Sequence, residues 1–176
     1  EGILKRVKNL LKKDLLVIDV CSVKEYPVNL MKRILPKNVQ ILATHPMFGP
    51  DSASDSLLER KIALCKVRIN NELYNQIKRF FESKGLVVIE TTPENHDREI
   101  AKSLVLAHFI GRALIDSKAS NLDIDTEDYK RLLKILDTVK NDTWQLFEDM
   151  NNYNKFSKKI RKYFIRSLNK IDGKLK

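Results

Sequence analysis

The chain is short of long apolar runs, of glycine and of cysteine, and each shortage excludes something. No stretch approaches the roughly 18–20 consecutive apolar residues that a membrane-spanning helix requires. No signal-peptide pattern opens the chain either, so no membrane partner is expected. The five glycines, at positions 2, 49, 85, 111 and 173, are scattered. None of them falls into the G-x-G-x-x-G spacing by which a strand-to-helix turn cradles a pyrophosphate. Two cysteines, Cys21 and Cys65, sit in or beside strand-like runs without metal-ligand spacing. They read as free thiols of a reducing compartment. Three histidines add no ligand pattern, so no metal is expected.

What is abundant is positive charge, and its location matters more than its net value of +10. Residues 155–176 hold nine Lys/Arg against Asp172, and residues 1–13 hold five against Glu1, which leaves the middle slightly acidic at −2. A nucleic-acid domain would carry its charge more evenly. Phe156, Ile160, Tyr163, Phe164, Ser167 and Ile171 recur at helical spacing within the basic end. The lysines there are therefore expected to solvate the outer face of a terminal helix, and no nucleic-acid partner is expected.

At 43% hydrophobic content, 176 residues can bury a core as one large domain or two small ones. The chain opens in an amphipathic pattern, with Ile3, Val7, Leu10 and Leu11 on one face. Apolar runs at 15–20, 39–43, 61–69 and 86–90 read as strands. Helical periods at 25–35 and 70–84 lie between them, with a shorter helical stretch near 54–60. Gly85 is placed to end the second long helix as a left-handed cap. This alternation predicts an α/β domain with a mostly parallel sheet over residues 1–91. From Thr92, a good N-cap followed by Pro93, the pattern is helical to the end. One long helix is predicted to about Asp116, another from Thr126, a break at Asn141-Asp142, and the basic helix. Residues 92–176 are thus an all-α domain.

The chemistry centres on Thr44-His45-Pro46-Met47-Phe48-Gly49-Pro50-Asp51, directly after the strand at 39–43. A buried strand that ends in a stiffened loop presents side chains at the carboxyl edge of an α/β sheet. The strand at 15–20 leads likewise into Cys21-Ser22-Val23-Lys24. If the two strands are neighbours, Ser22 and His45 emerge on the same side, a hydroxyl beside an imidazole, suited to taking a proton from an alcohol. A loop histidine that merely packs or meets solvent, and an ordinary loop serine, are the alternatives.

The run Asp-Val-Cys-Ser-Val-Lys (19–24) followed by Thr-His-Pro-Met-Phe-Gly-Pro-Asp (44–51) resembles the prephenate/arogenate dehydrogenase family, nearest its plant-type arogenate members. The resemblance continues through Asn95-His96-Asp97 and Ala107-His108-Phe109-Ile110-Gly111-Arg112. It extends to Asp125–Leu133, Asn141-Asp142-Thr143-Trp144 and Tyr153-Asn154-Lys155. It implies that residues 1–91 are the C-terminal half of a Rossmann-like nucleotide-binding domain whose front half is missing. It further implies that residues 92–176 form a substrate-binding domain and a homodimer interface. Leu104, Ala107, Gly111, Leu114 and Ile115 would supply the close-packing face there, although the pattern fits an intramolecular core equally well. The implied reaction is NAD- or NADP-dependent oxidative decarboxylation of prephenate or arogenate for tyrosine synthesis, in the cytoplasm or a plastid. A fragment that only dimerises or regulates is the alternative.

By the same resemblance His45 is the base or hydrogen-bond acceptor, and Ser22 holds it and the nicotinamide in register, touching both catalysis and cofactor. His108 binds substrate or is a satisfied core histidine. Arg112, one turn on, clamps a carboxylate or makes a surface ion pair. Asp51 stands at the pocket mouth or caps a helix. His96 and Asp97 look like helix-start and hydrogen-bonding residues rather than catalysts. In one departure, many bacterial prephenate enzymes carry an arginine where Asp137 stands here. That shifts carboxylate binding to Arg112 or Lys140.

Overall fold

The computed structural model of the protein describes residues 1–49 and 53–175. The chain divides into two compact units, Glu1–Asp97 and Arg98–Lys176, and the division falls inside a helix.

The first unit is a four-stranded sheet in the order β1-β2-β3-β4, with β1 at Leu16–Asp19, β2 at Gln40–Pro46, β3 at Lys61–Arg68 and β4 at Val87–Glu90. β1 runs parallel to β2 and β3 parallel to β4, but β2 and β3 are antiparallel. The sheet is therefore mostly parallel, with one reversal that the alternation of strands and helices did not announce. The cause lies in the connections. Helix α2 (Glu25–Ile34) carries the chain back between β1 and β2, and α3 (Asn71–Ser83) does so between β3 and β4. Between β2 and β3 the described residues contain no α-helix, and the stretch predicted as helical near 54–60 is turns and bends. Without a crossover the strand returns beside its predecessor in the opposite direction.

Successive side chains of a strand point to opposite faces, and here both faces are covered. Ile41 and Ala43 join Val28 and Met31 of α2, along with Leu35, Val39 and Cys65, in one cluster. Leu42, Ile62 and Leu64 pack on the other face with Tyr74 of α3 and Leu86. Each such fully buried aliphatic side chain stabilises the fold by roughly 1.5–3 kcal/mol. Tyr74 and Phe81 are the aromatics that α3 turns toward this cluster, whereas Phe80 is exposed. Asn70 caps α3 by accepting from the Leu73 N–H at 2.8 Å. Gly85 ends it at φ +81°, with Gly85 N–H donating to Glu82 and Leu86 N–H to Phe81. Only a residue free of a Cβ takes that left-handed closure without strain. The opening helix α1 is short, Gly2–Val7, and Ile3 and Leu10 stay exposed.

Helix α4 (Pro93–Lys102) runs through the division, its start closed by Thr92, which accepts from the Asn95 N–H. The single helix expected from 92 to 116 is broken at Ser103, whose φ/ψ of −110°/−90° is not helical and whose hydroxyl donates back to the Glu99 carbonyl. Helix α5 (Leu104–Asp116) resumes, followed by α6 (Glu127–Val139), α7 (Trp144–Asn152) and α8 (Ser157–Asp172). Thr126 and Thr143 cap α6 and α7 by accepting from Tyr129 and Leu146. Gly111 marks where α5 meets α6, since a Cβ there would lie 2.8 Å from Val139 Cγ2 and 3.0 Å from Ile135 Cγ2. On α8, Ile160, Phe164 and Ser167 are half-buried, whereas Tyr163 and Ile171, which share its apolar period, are exposed. Among the described residues no helix is long and apolar enough to cross a membrane.

Candidate active site

His45 is a strand residue, not a loop residue as the pattern suggested. It pairs with Ala63 across β2 and β3, and only 4% of its surface is exposed. The apolar run ends at Ala43, but pairing with β3 extends the strand to Pro46. Residues 41, 43 and 45 share one face of β2, so the imidazole follows the α2 side of the sheet.

There it meets a histidine and an aspartate from the start of α4. Nδ1 of His45 lies 2.9 Å from Nε2 of His96, and Nδ1 of His96 lies 2.8 Å from Oδ1 of Asp97. The two rings meet edge-on, with centroids 5.1 Å apart. His96 and Asp97 are both buried. Asp97 has a second task. Its Oδ1 accepts the Lys24 N–H at 2.7 Å and its Oδ2 the Glu25 N–H at 2.9 Å. Helix α2 has no side-chain cap of its own, so Asp97 caps it from 73 positions along the chain.

The carboxyl ends of β1 and β2 are tied by a buried cation. Lys24 is wholly buried, and its ammonium donates to Asp19 and to the Thr44 carbonyl. The Thr44 hydroxyl donates to the Asp19 carbonyl at 2.7 Å. Burial, the neighbouring His96 ring and the Lys24 ammonium push His45 down to about 3, against an upward pull from Asp97. The ring is thus neutral at physiological pH, with a lone pair to offer.

Because β1 and β2 are parallel neighbours with Asp19 opposite Ala43, Ser22 and His45 leave the sheet at the same edge. Ser22 is half-buried, and no hydrogen bond joins it to His45, whose Nδ1 is already held by His96. Asp51 lies outside the described residues.

His108 and Arg112 belong to the second unit, where both project from α5. His108 is buried, and its Nδ1 stands 3.6 Å from Asp142 Oδ2, too far for a hydrogen bond. Burial lowers its pKa, opposed by Asp142. Arg112 donates to the Asp142 carbonyl and lies over the rings of Trp144 and Phe147, 5.7 and 5.9 Å from their centroids. Arg112, Trp144 and Phe147, together with Phe109 and Asp116, line a cavity of about 340 Å³. His108 Nδ1 and Arg112 Nε are buried without a hydrogen-bond partner among the described residues. Asp137, by contrast, is occupied by Lys140 at 2.7 Å.

His96, Asp97, Lys24 and Asp19 were not singled out from the sequence as part of this site. The adjacent His-Asp pair at a helix start was the available signal. Nothing local, however, indicates a contact across 51 positions.

A family model described as the nucleotide-binding domain of prephenate dehydrogenase matches residues 1–90, and one described as a TYRAAT1-like C-terminal domain matches residues 114–176. Arogenate dehydrogenase 2, chloroplastic, of Arabidopsis thaliana is 36% identical over 149 residues, covering 82% of this chain and 42% of that protein. A probable arogenate/prephenate dehydrogenase of Methanocaldococcus jannaschii is 28% identical over 181 residues, covering 97% of this chain and 40% of its own length. The chain thus spans less than half the length of either relative. Among solved structures, prephenate dehydrogenase from Aquifex aeolicus, in complex with hydroxyphenyl propionate and NAD+, superposes with a TM-score of 0.73. That match has 26% identity and covers 98% of this chain and 63% of that one. With half of its residues matched by that nucleotide-binding model and with the plant relative beside it, the chain belongs to the prephenate dehydrogenase family.

Proposed function

We propose that the chain is the catalytic-edge and helical portion of an enzyme that oxidatively decarboxylates prephenate or arogenate with NAD or NADP, in tyrosine synthesis. The observation that carries this reading is a neutral, buried His45 at the carboxyl edge of β2, in a chain whose family is dehydrogenases. Residues 1–91 would be the second half of a nucleotide-binding domain, and residues 92–176 the substrate-binding and homodimer domain.

The fit to a nicotinamide is local. The carboxyl edge of two parallel strands is where α/β sheets bind dinucleotides, and Ser22 stands there without a hydrogen bond to His45. NAD(P), when bound, supplies the hydride acceptor. The chain's own residues handle the proton and the carboxylates. His45 accepts the hydroxyl proton of the ring carbinol as its C–H hydrogen departs as hydride. Ser22 orients the hydroxyl and the nicotinamide, and loss of carboxylate as CO2 then makes the ring aromatic. Arg112, with Nε uncommitted beside an aromatic-lined cavity, binds a carboxylate. His108 offers its Nδ1 to a polar group of the substrate.

Tyr163, Ile165, Leu168 and Ile171 leave apolar surface exposed on α8, which supports a homodimer through the helical domain. Cytoplasm is the expected compartment and a plastid the alternative, since the Arabidopsis relatives are named chloroplastic.

The test joins the chain to the preceding segment of the Methanocaldococcus relative and follows NAD(P) reduction with prephenate and with arogenate. Activity with one of them, abolished by His45→Asn, is the expected result. No turnover of either, or turnover indifferent to His45→Asn, overturns the reading.

A further inference from the structure

We propose that His96 and Asp97 are positioning residues that fix the tautomer of His45, leaving its Nε2 as the bare, proton-accepting nitrogen. The inference rests on the reading of His45 as the base, but its geometry stands independently of that reading.

The direction of each hydrogen bond follows from the donors present. Asp97 receives two backbone N–H groups, Lys24 on Oδ1 and Glu25 on Oδ2, and backbone N–H groups can only donate. Both carboxylate oxygens therefore act as acceptors. His96 Nδ1, 2.8 Å from the same Oδ1, must carry its proton to bond there. In the proposed arrangement His96 holds this single proton and presents a lone pair on Nε2. That lone pair faces His45 Nδ1 at 2.9 Å, so His45 Nδ1 carries the hydrogen. The bare nitrogen of His45 is by elimination Nε2, which has no hydrogen-bond partner among the described residues.

The same chain of bonds gives the incoming proton somewhere to go. When Nε2 takes a hydroxyl proton, His45 becomes positive in a buried site that already holds the Lys24 ammonium. Passing the Nδ1 proton to His96 Nε2 moves that charge one ring away, against the Asp97 carboxylate. One N–H bond breaks and one forms, and no other reactant is needed. Asp97 is also the cap of α2, so the residue that orients His45 also sets the start of the helix that follows the Ser22 loop. One buried carboxylate thus holds both sides of the candidate site in register.

The experiment reads the imidazole nitrogens of the full chain by long-range proton–nitrogen NMR. Only three histidines are present, and each is assigned by its loss on substitution. The wild-type protein is expected to show His45 as a single Nδ1–H tautomer. His96→Leu, which removes the acceptor, is expected to lose that exclusivity and populate the Nε2–H form. His96→Gln, whose amide oxygen can accept, restores the Nδ1–H form. In the enzyme completed with its preceding segment, His96→Leu lowers kcat by roughly 10²-fold with KM unchanged, the low end of what a positioned base contributes. His96→Gln recovers much of that loss.

A wild-type His45 protonated on Nε2 overturns the inference, even if the leucine variant fails to fold. A His45 tautomer unmoved by His96→Leu overturns it as well. An Nδ1–H His45 in a completed enzyme that turns over neither substrate leaves the positioning intact and removes only the dehydrogenase reading.

Discussion

Lys24 has no exposed surface, and its ammonium rests on the Asp19 carboxylate at the shared edge of β1 and β2. A buried charge of this kind is tolerated because its partner and the Thr44 carbonyl satisfy it. It also adds positive potential beside His45. The tie between the two strand ends is thus electrostatic rather than apolar in origin.

Replacing Lys24 by Met is expected to destabilise the first unit by about 3–5 kcal/mol, because Asp19 is left without its counter-charge. Urea unfolding measures the loss. In the folded fraction the His45 pKa should rise, since one of the charges that depresses it has gone.

The depressed pKa of His45 carries a definite pH signature. An unfolded histidine titrates near ~6.5, whereas the folded ring titrates at about 3. Between those values the unfolded chain binds more protons than the folded one, so stability falls as pH falls through the window. His108, also lowered by burial, acts in the same direction. The stabilisation is fully present above ~6.5 and is lost on approach to 3. Chemical denaturation at several pH values between 4 and 7 should show this slope, and His45→Gln should flatten it.

The strands and caps were legible because local chemistry decides them. Apolar runs rich in Val, Ile and Leu became β1 to β4, and Thr92, Thr126 and Gly85 took the capping roles their side chains suit. The reversal between β2 and β3 was not legible, because strand direction depends on what lies in the connection, and a helix was expected there. His45 was read one element too late, since the pairing that prolongs β2 comes from β3, eighteen positions away at Ala63. The His96–Asp97 link was invisible for the same reason on a larger scale. Each residue looks ordinary beside its neighbours and gains meaning only from His45 and from the amides of Lys24 and Glu25.

Gly111 was read as a small residue for close packing, and the contact it makes is with α6 of its own chain. Gly111→Val would place methyl groups where Val139 and Ile135 already sit. An overpacking cost of about 1–3 kcal/mol is expected, visible as a lower urea midpoint for the helical unit. The partner substitution Val139→Ala should recover part of it.

Arg112 separates the roles of charge and shape. Its guanidinium holds the Asp142 carbonyl and lies over Trp144 and Phe147, while Nε stays uncommitted. A lysine keeps the charge but offers neither the planar face nor the fork that binds a carboxylate in two places. In the completed enzyme, Arg112→Lys is therefore expected to raise KM for the proposed substrate, prephenate or arogenate, roughly tenfold or more, about the 1.4 kcal/mol that corresponds to one decade in affinity, with kcat little changed. Steady-state kinetics at saturating NAD(P) measures the split. A KM unchanged by Arg112→Lys, with stability preserved, would assign the guanidinium to the tie between α5 and the turn at Asp142 and move the carboxylate to another cation.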